Sequence, residues 1–148
     1  MLSYKAKYAL RATLALARAP AGAPILISAI AEQENIPRKF LELILLELKR
    51  RGLIVSRRGR SGGYSLGKSA EDITFGEIIR LIDGPLAAVP CVSKTQYRRC
   101  DDCPDERSCP IRRVMARVRD ATAEILDHTT IADGLRGGRK ALKRILAL

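Results

Sequence analysis

Four cysteines in one short stretch are the side chains of this sequence best suited to chemistry. Cys91, Cys100, Cys103 and Cys109 are separated by polar, charged and proline-containing residues, which predicts a loop. Thiolates bind soft or borderline metals, chiefly zinc and the irons of iron–sulfur clusters. Zinc sites usually contain two close ligand pairs, and here only Cys100 and Cys103 form one. The irregular spacing therefore favours an iron–sulfur cluster, while zinc, a redox disulfide and unligated structural cysteines stay open as alternatives.

The rest of the sequence contains no residue set that is typical of an enzyme. There is no Ser/His/Asp arrangement and no pair of carboxylates at a catalytic spacing, so we expect a protein that is not an enzyme. His128 is the one histidine. Because it lies near the end of a helical pattern, a packed or solvated role is favoured for it over metal ligation.

The distribution of charge indicates a polyanionic partner. The 148 residues include 27 Lys and Arg against 16 Asp and Glu, a net charge of +11, and residues 1–68 alone carry +9. Such an excess is typical of proteins that bind nucleic acid or an acidic membrane surface, although a face kept charged for solubility is the alternative. No apolar run is long enough to span a membrane, and the first residues lack the features of a signal peptide. We therefore expect a cytoplasmic protein, in which stable disulfides are rare.

Three helical segments in the basic half predict a helix-turn-helix. Apolar residues recur at helical spacing over Tyr4–Arg18, and a short helix follows over Ile27–Gln33. Asn35 lies in a three-residue turn and tolerates the left-handed conformation that a tight turn requires. The next helix is expected over Pro37–Arg51, with Pro37 at its first position, where the missing N–H is harmless. Its polar residues near the start would enter the major groove of DNA.

A basic hairpin follows the third helix. The strand Leu53–Arg57 and the return strand Tyr64–Leu66 flank a turn, Arg58–Gly63, that is rich in arginine and glycine. Glycines would let the tip lie close to a surface, and the arginines would reach phosphates or a narrow minor groove. A nucleotide-binding loop is disfavoured because the strand-to-helix Gly-Lys-Ser/Thr motif is absent.

The second half predicts a short helix, the cysteine loop and a long helix. Thr74 and Glu77 form a capping-box pattern before a helix over Phe75–Asp83. The long helix has a narrow seam whose positions step by three and four residues, which favours a coiled-coil dimer over packing within one chain. The seam residues are Ile111, Val114, Val118, Ala121, Ile125 and His128.

Together these elements predict a mainly α fold with a small β-wing. We divide it into a winged helix-turn-helix DNA-binding domain (1–70), a linker helix with the cysteine loop (71–110), a dimerisation helix ending in a turn at Ile131–Leu135 (111–135) and a basic tail (136–148). The sequence leaves open whether the tail is disordered, contacts DNA or forms an amphipathic helix.

The sequence resembles one bacterial family of regulators. The segment Ser3–Leu10, the wing Arg58–Lys68 and a cysteine loop before a long helix are similar to the winged-helix regulators that include IscR, NsrR and RirA. The resemblance implies a homodimeric transcriptional regulator that binds a palindromic operator. It also implies that an iron–sulfur cluster, 2Fe-2S or 4Fe-4S, switches operator affinity in response to iron, nitric oxide or redox state. The alternative is the same regulator with its cysteines acting as a thiol/disulfide or zinc switch.

The resemblance also assigns roles to individual residues. The residues expected at the DNA are Lys5, Lys7, Tyr8, Ser28, Arg38, Lys39, Glu42, Arg57, Arg58 and Arg60. Glu42 can accept a hydrogen bond from cytosine N4. Cys91 and Cys109 match the outer two of the three family cysteines, and Cys100 or Cys103 matches the middle one. Some members have a histidine three residues after the last cysteine; Arg112 stands there, so the fourth thiol is expected to replace that ligand.

Overall fold

The computed structural model describes residues 2–20 and 22–137. The described chain is mostly helical and contains one two-stranded antiparallel sheet, which confirms the predicted fold class. The elements are α1 (Tyr4–Arg18), α2 (Ile27–Gln33), α3 (Arg38–Arg50), β1 (Ile54–Arg57), β2 (Gly63–Leu66), α4 (Phe75–Asp83), a 3-10 turn (Pro90–Val92), α5 (Pro110–Asp127) and α6 (Ile131–Leu135).

Helix α1 lies at the centre of the fold and contacts α3, α4, α6 and β2. Its buried face carries small side chains, including Ala6, Ala9 and Ala12, which are fully buried. Small residues allow neighbouring helices to approach closely. The Ser3 hydroxyl caps the helix by accepting the Ala6 N–H at 3.0 Å. The predicted bounds of α1 and α2 are both confirmed.

The turn between α2 and α3 has the expected backbone conformation. Asn35 has φ of +48°, in the left-handed region that asparagine tolerates. Pro37, however, is the N-cap of α3 and not its first helical residue, because its ψ of 125° is extended. Its carbonyl still accepts the first helical hydrogen bond, from the Leu41 N–H at 3.0 Å. A shift of one residue at a helix end is common, since the cap already takes part in the first turn.

The wing is a hairpin in which Ile54 pairs with Leu66 and Arg57 with Gly63. Ile25, before α2, adds a bridge to Tyr64 through two N–H···O bonds of 2.8 Å. Gly63 has φ of +144°, and a Cβ there would lie 2.5 Å from the Ile25 carbonyl oxygen. Glycine at position 63 therefore has a reason that the sequence did not reveal, because the close approach of Ile25 requires a residue without a side chain.

Helix α4 packs into the same core as the helix-turn-helix. Ile73, Ile78 and, from α6, Ile131 are fully buried in one cluster with the α1 and α3 side chains. Thr74 caps α4 by accepting the Glu77 N–H at 3.1 Å. The Glu77 carboxylate accepts from Lys68 at 2.9 Å, so the second half of the expected capping box is replaced by an ion pair. The division of the chain at residue 70 stays a prediction.

The C-terminal part consists of α5 and a one-turn helix. The segment Ile131–Leu135, expected as a turn, is helical because Thr130 and Asp133 form a capping box. Within the described part of the chain, none of the helices combines the length and apolar character that a membrane span requires. The basic tail lies outside the described residues from position 138 onward.

Candidate nucleic-acid interface and cysteine loop

The predicted recognition residues lie on the solvent side of α3. Arg38, Lys39 and Glu42 are all exposed, while the opposite face of the helix is buried against α1. Arg38 Nε donates to the Glu42 carboxylate at 3.3 Å, one turn along the helix. An exposed pair of this kind contributes little to stability, so both side chains are available to a ligand.

The wing presents three cations to solvent. Arg57, Arg58 and Arg60 are exposed. In the described part of the chain no carboxylate forms an ion pair with them. Gly59 at the tip has φ of +106° and open space around it. The hairpin therefore holds unpaired positive charge at its end, as contact with phosphates requires.

The N-terminal segment supports α3 as well as facing solvent. Lys5 Nζ forms an ion pair with Glu47 on α3, and both side chains are about one-third exposed. The Tyr8 ring lies edge-on to Phe40, with 6.0 Å between the ring centroids. Lys5 and Tyr8 thus help position the recognition helix, a role that the sequence reasoning missed because the partners lie more than thirty residues away. The other two expected contacts, Lys7 on α1 and Ser28 on α2, are exposed.

Two exposed leucines on α3 were also missed. Leu43 is 58% exposed and Leu46 is 44% exposed. The signal was available, because seven of the thirteen residues of α3 are large and apolar, more than one buried stripe holds. The fully buried ones are Leu41, Ile44, Leu45 and Leu48.

The four cysteines are free thiols that lie in two neighbouring pairs. Cys91 is buried in the 3-10 turn, and the other three are half-buried. The pKa of the Cys100 thiol is raised, chiefly by its hydrogen bond with Cys91. The pKa of the Cys103 thiol is raised by desolvation first and then by the nearby charge of Cys109. The fold therefore brings cysteines that are nine and six residues apart near enough for one member of each pair to raise the pKa of the other.

The chemistry of this loop suits an anionic metal group. Cys109 is the N-cap of α5, and its Sγ accepts the Arg112 N–H at 3.4 Å. Arg112 Nε is buried without a hydrogen-bond partner among the described residues, so it has a donor to offer. The four cysteines would supply the thiolate ligands of an iron–sulfur cluster, and the bound group would provide the acceptor that Arg112 lacks. In residues 2–20 and 22–137, no three His, Cys, Asp or Glu side chains converge tightly enough to hold a single metal ion.

Two arginines connect the ends of the loop region to α5. Arg119, on the inner face of α5, donates to the Val92 carbonyl at 2.5 Å, beside Cys91. Arg80 of α4 makes two hydrogen bonds to the Asp127 carboxylate, at 2.5 and 2.8 Å. These bonds raise the pKa of Arg80 and lower that of Asp127. The 3-10 turn, α4 and α5 are therefore joined by polar contacts in addition to packing.

The predicted seam of α5 is exposed in the single chain. The fractional exposures are 64% for Ile111, 54% for Val114, 46% for Val118 and 41% for Ile125, and Ala121 is also exposed. His128 caps the C-terminus of α5, with its Nδ1 2.8 Å from the Glu124 carbonyl oxygen. It lies at the opposite end of the helix from Cys109.

Comparison with known proteins shows which family has this architecture. Residues 2–136 match the family model Rrf2, described as an iron-dependent transcriptional regulator. A protein of Rhodobacter capsulatus whose name describes it as an rrf2-like HTH-type transcriptional regulator is 44% identical over 97% of each chain. The structure of CymR, the global cysteine regulator of B. subtilis, has a TM-score of 0.75 and 34% identity, and the match covers 90% of this chain and 94% of that one. T. potens IscR has a TM-score of 0.72 and 28% identity over 95% and 90% of the two chains. The relatives are transcriptional regulators and not enzymes, and this chain belongs to the Rrf2 family of winged-helix transcriptional regulators.

Proposed function

We propose that the protein is a dimeric repressor or activator that binds a palindromic operator, and that an iron–sulfur cluster on its four cysteines switches its affinity for that operator. The observation that carries this proposal is the position of the cysteine loop. It joins the winged core to α5, and it contains four free thiols in two neighbouring pairs. A change in the state of the thiols therefore acts at the joint between the DNA-binding surface and the proposed dimer helix.

The DNA-binding part of the proposal rests on two exposed basic surfaces. The start of α3 would enter the major groove, with Glu42 accepting from a cytosine and Lys39 near a phosphate. Arg57, Arg58 and Arg60 on the wing would hold the phosphate backbone or enter a narrow minor groove. Because these contacts neutralise phosphates, operator affinity should fall steeply with salt concentration.

The dimer part rests on the exposed stripe of α5. An 18-residue helix that exposes four large apolar side chains leaves apolar surface in water unless another surface covers it. The heptad-like spacing of the stripe fits a second copy of the same helix. Two copies would place their recognition helices on half-sites about 34 Å apart, one turn of DNA.

Cys91, Cys100, Cys103 and Cys109 would hold the cluster, with Arg112 as a positive neighbour. A bound cluster supplies chemical lability toward iron loss, nitric oxide and oxidants. The chain's own residues couple the cysteine loop to α5. Arg119 holds the Val92 carbonyl against α5, and Arg80 holds α4 to Asp127, so both ends of the joint are attached to the dimer helix. Any movement of Cys91 is thereby transmitted to the angle between the winged core and α5.

The test is anaerobic purification followed by an absorbance spectrum, iron and sulfide analysis, and operator binding with and without the cofactor. We expect visible absorbance that Cys103→Ser and Cys109→Ser abolish, while Thr95→Ala, an exposed hydroxyl in the same loop, retains it. We also expect loaded and apo proteins to differ in operator affinity. Equal affinity of the two forms, or a colourless protein after anaerobic reconstitution with iron and sulfide, would refute the cluster switch.

A second candidate is favoured because Cys91 lies near enough to Cys100 to raise the pKa of its thiol. In this alternative a peroxide takes two electrons and two protons from the pair, is reduced to water, and leaves a Cys91–Cys100 disulfide. Mass spectrometry of peptides digested without reductant distinguishes the two candidates, since only the thiol switch produces a cross-linked peptide pair together with a change in DNA affinity. Zinc analysis of the purified protein tests the remaining metal alternative.

A further inference from the structure

The face of α3 that points farthest from the core combines cations with leucines. Lys39, Leu43, Leu46 and Arg50 follow one another at spacings of four, three and four residues, so they lie in one row along the helix. All four are exposed. The row lies opposite the four buried side chains of the same helix. The most protruding part of the recognition helix is therefore an apolar centre with a positive charge at each end.

This arrangement fits the major groove better than a protein surface. A groove has phosphates along both walls, which complement Lys39 and Arg50 at the two ends of the row. The apolar group that base edges present in its floor is the C5-methyl of thymine. A leucine at the centre of the row can neither donate nor accept a hydrogen bond, so the methyl is the base feature that it can recognise.

We infer that Leu43 is a specificity-determining residue that recognises the C5-methyl of a thymine in each operator half-site, with Leu46 extending the apolar contact. This inference rests on the proposed operator binding and adds a second kind of base recognition to the hydrogen bond expected from Glu42. Leu43 carries the main contact because it lies nearer than Leu46 to the N-terminal end of the recognition helix, whose residues reach the base edges. Its neighbour in the row, Leu46, lies one turn farther along the helix.

The experiment removes only the methyl group. An operator is first selected from random DNA with the wild-type protein, in both its purified and its apo form, and each thymine is then replaced singly by deoxyuridine, which keeps the base-pairing edge. We expect one position per half-site at which deoxyuridine weakens wild-type binding about fourfold, the factor that corresponds to ~0.8 kcal/mol for one buried methyl-sized group. The other thymines should tolerate replacement.

Two variants locate the contact. Leu43→Ala should bind thymine and deoxyuridine equally at the sensitive position, and Leu43→Gln should instead favour adenine there, because a glutamine amide can pair with adenine N6 and N7. Leu135→Ala, an exposed leucine on α6, should retain the full methyl effect. Thermal unfolding verifies that each variant is folded. The inference is wrong if no thymine methyl affects wild-type binding, or if the effect persists in Leu43→Ala. Failure of the wild-type protein to select any sequence would instead overturn the proposed operator binding itself.

Discussion

Helices α3 and α5 differ in where their apolar side chains lie. In α3, Leu41, Ile44, Leu45 and Leu48 are completely buried within one chain. In α5, which has 18 residues and is described throughout, no side chain is buried, and the large apolar ones line an exposed stripe. The first helix therefore derives its stability from the core of its own chain. The second has an apolar face that residues 2–20 and 22–137 leave exposed.

The difference separates a helix that is fixed in the core of its own chain from a helix that lies on the surface of the described residues. The helix-turn-helix and α4 share one core, so the recognition helix is held in place without a ligand. The cysteine loop and α5 are attached to that core by the packing of Leu126 and by polar contacts such as Arg80–Asp127 and Arg119 to Val92. Segments with few buried contacts are the ones that move in regulated proteins. Five variants, two of them with a matched control, sharpen or break this comparison.

The largest effect is expected from Val118→Asp in the α5 stripe. If two stripes pack together, the variant buries a carboxylate from each copy in an apolar seam, at several kcal/mol per charge. We expect a monomer by sedimentation, with an unchanged far-ultraviolet circular dichroism spectrum and strongly weakened operator binding. Arg113→Asp, exposed on the same helix but off the stripe, should leave the dimer intact. A Val118→Asp protein that still sediments as a dimer would contradict the assignment of the stripe.

Leu45→Ala in α3 should lower the free energy of unfolding by about 2–5 kcal/mol, because it leaves a cavity in a filled core. Urea denaturation measures the change. The neighbouring Leu46→Ala serves as the matched control; since Leu46 is exposed, its effect should stay within about 0.5 kcal/mol. Equal effects of the two variants would mean that the two faces of α3 are not as distinct as the structure describes.

Two variants of DNA-contact residues should change DNA binding in different ways, each by up to about 3 kcal/mol of binding free energy. Glu42→Ala should relax the preference at one base pair, whereas Arg58→Ala should weaken binding to most sequences and reduce the salt slope by about 1. Binding titrations at several salt concentrations, on operator and random DNA, measure both. If Arg58→Ala leaves binding to random DNA intact, the wing does not contact the backbone.

The smallest effect is expected from Asp127→Asn at the contact between α4 and α5. The hydrogen bonds from Arg80 lower the pKa of Asp127 below its ordinary value of 3.8, so the ionised carboxylate stabilises the folded state above that value. The stabilisation is lost as pH falls through the lowered pKa. Because both side chains are about one-third exposed, solvent screening keeps the difference below about 1 kcal/mol. Urea titrations should show wild type and variant converging below about pH 4; a constant difference would contradict the ion-pair origin.

The sequence predicted the helices well because their signals are local. The bounds of α1, α2 and α4 follow from apolar periodicity, prolines and caps, all of which act within one or two turns of chain. The left-handed turn at Asn35 has the same origin, since a single residue type determines it. These elements also predicted a helix-turn-helix followed by a wing, which the structure and the match to the Rrf2 family confirm. The DNA-contact and cysteine assignments remain predictions.

Tertiary structure decided everything that depends on residues far apart in the chain. The requirement for glycine at position 63 comes from Ile25, and the second role of Lys5 comes from Glu47. Periodicity identifies the apolar residues of α3 but cannot say which of them the core has room for, so the exposure of Leu43 appears only when α1 covers one face. Likewise, the spacing of the cysteines predicts thiol chemistry. Which cysteines lie next to each other depends on how the loop folds against α5. A sequence determines local conformation directly, whereas long-range contacts exist only once packing has brought their partners together.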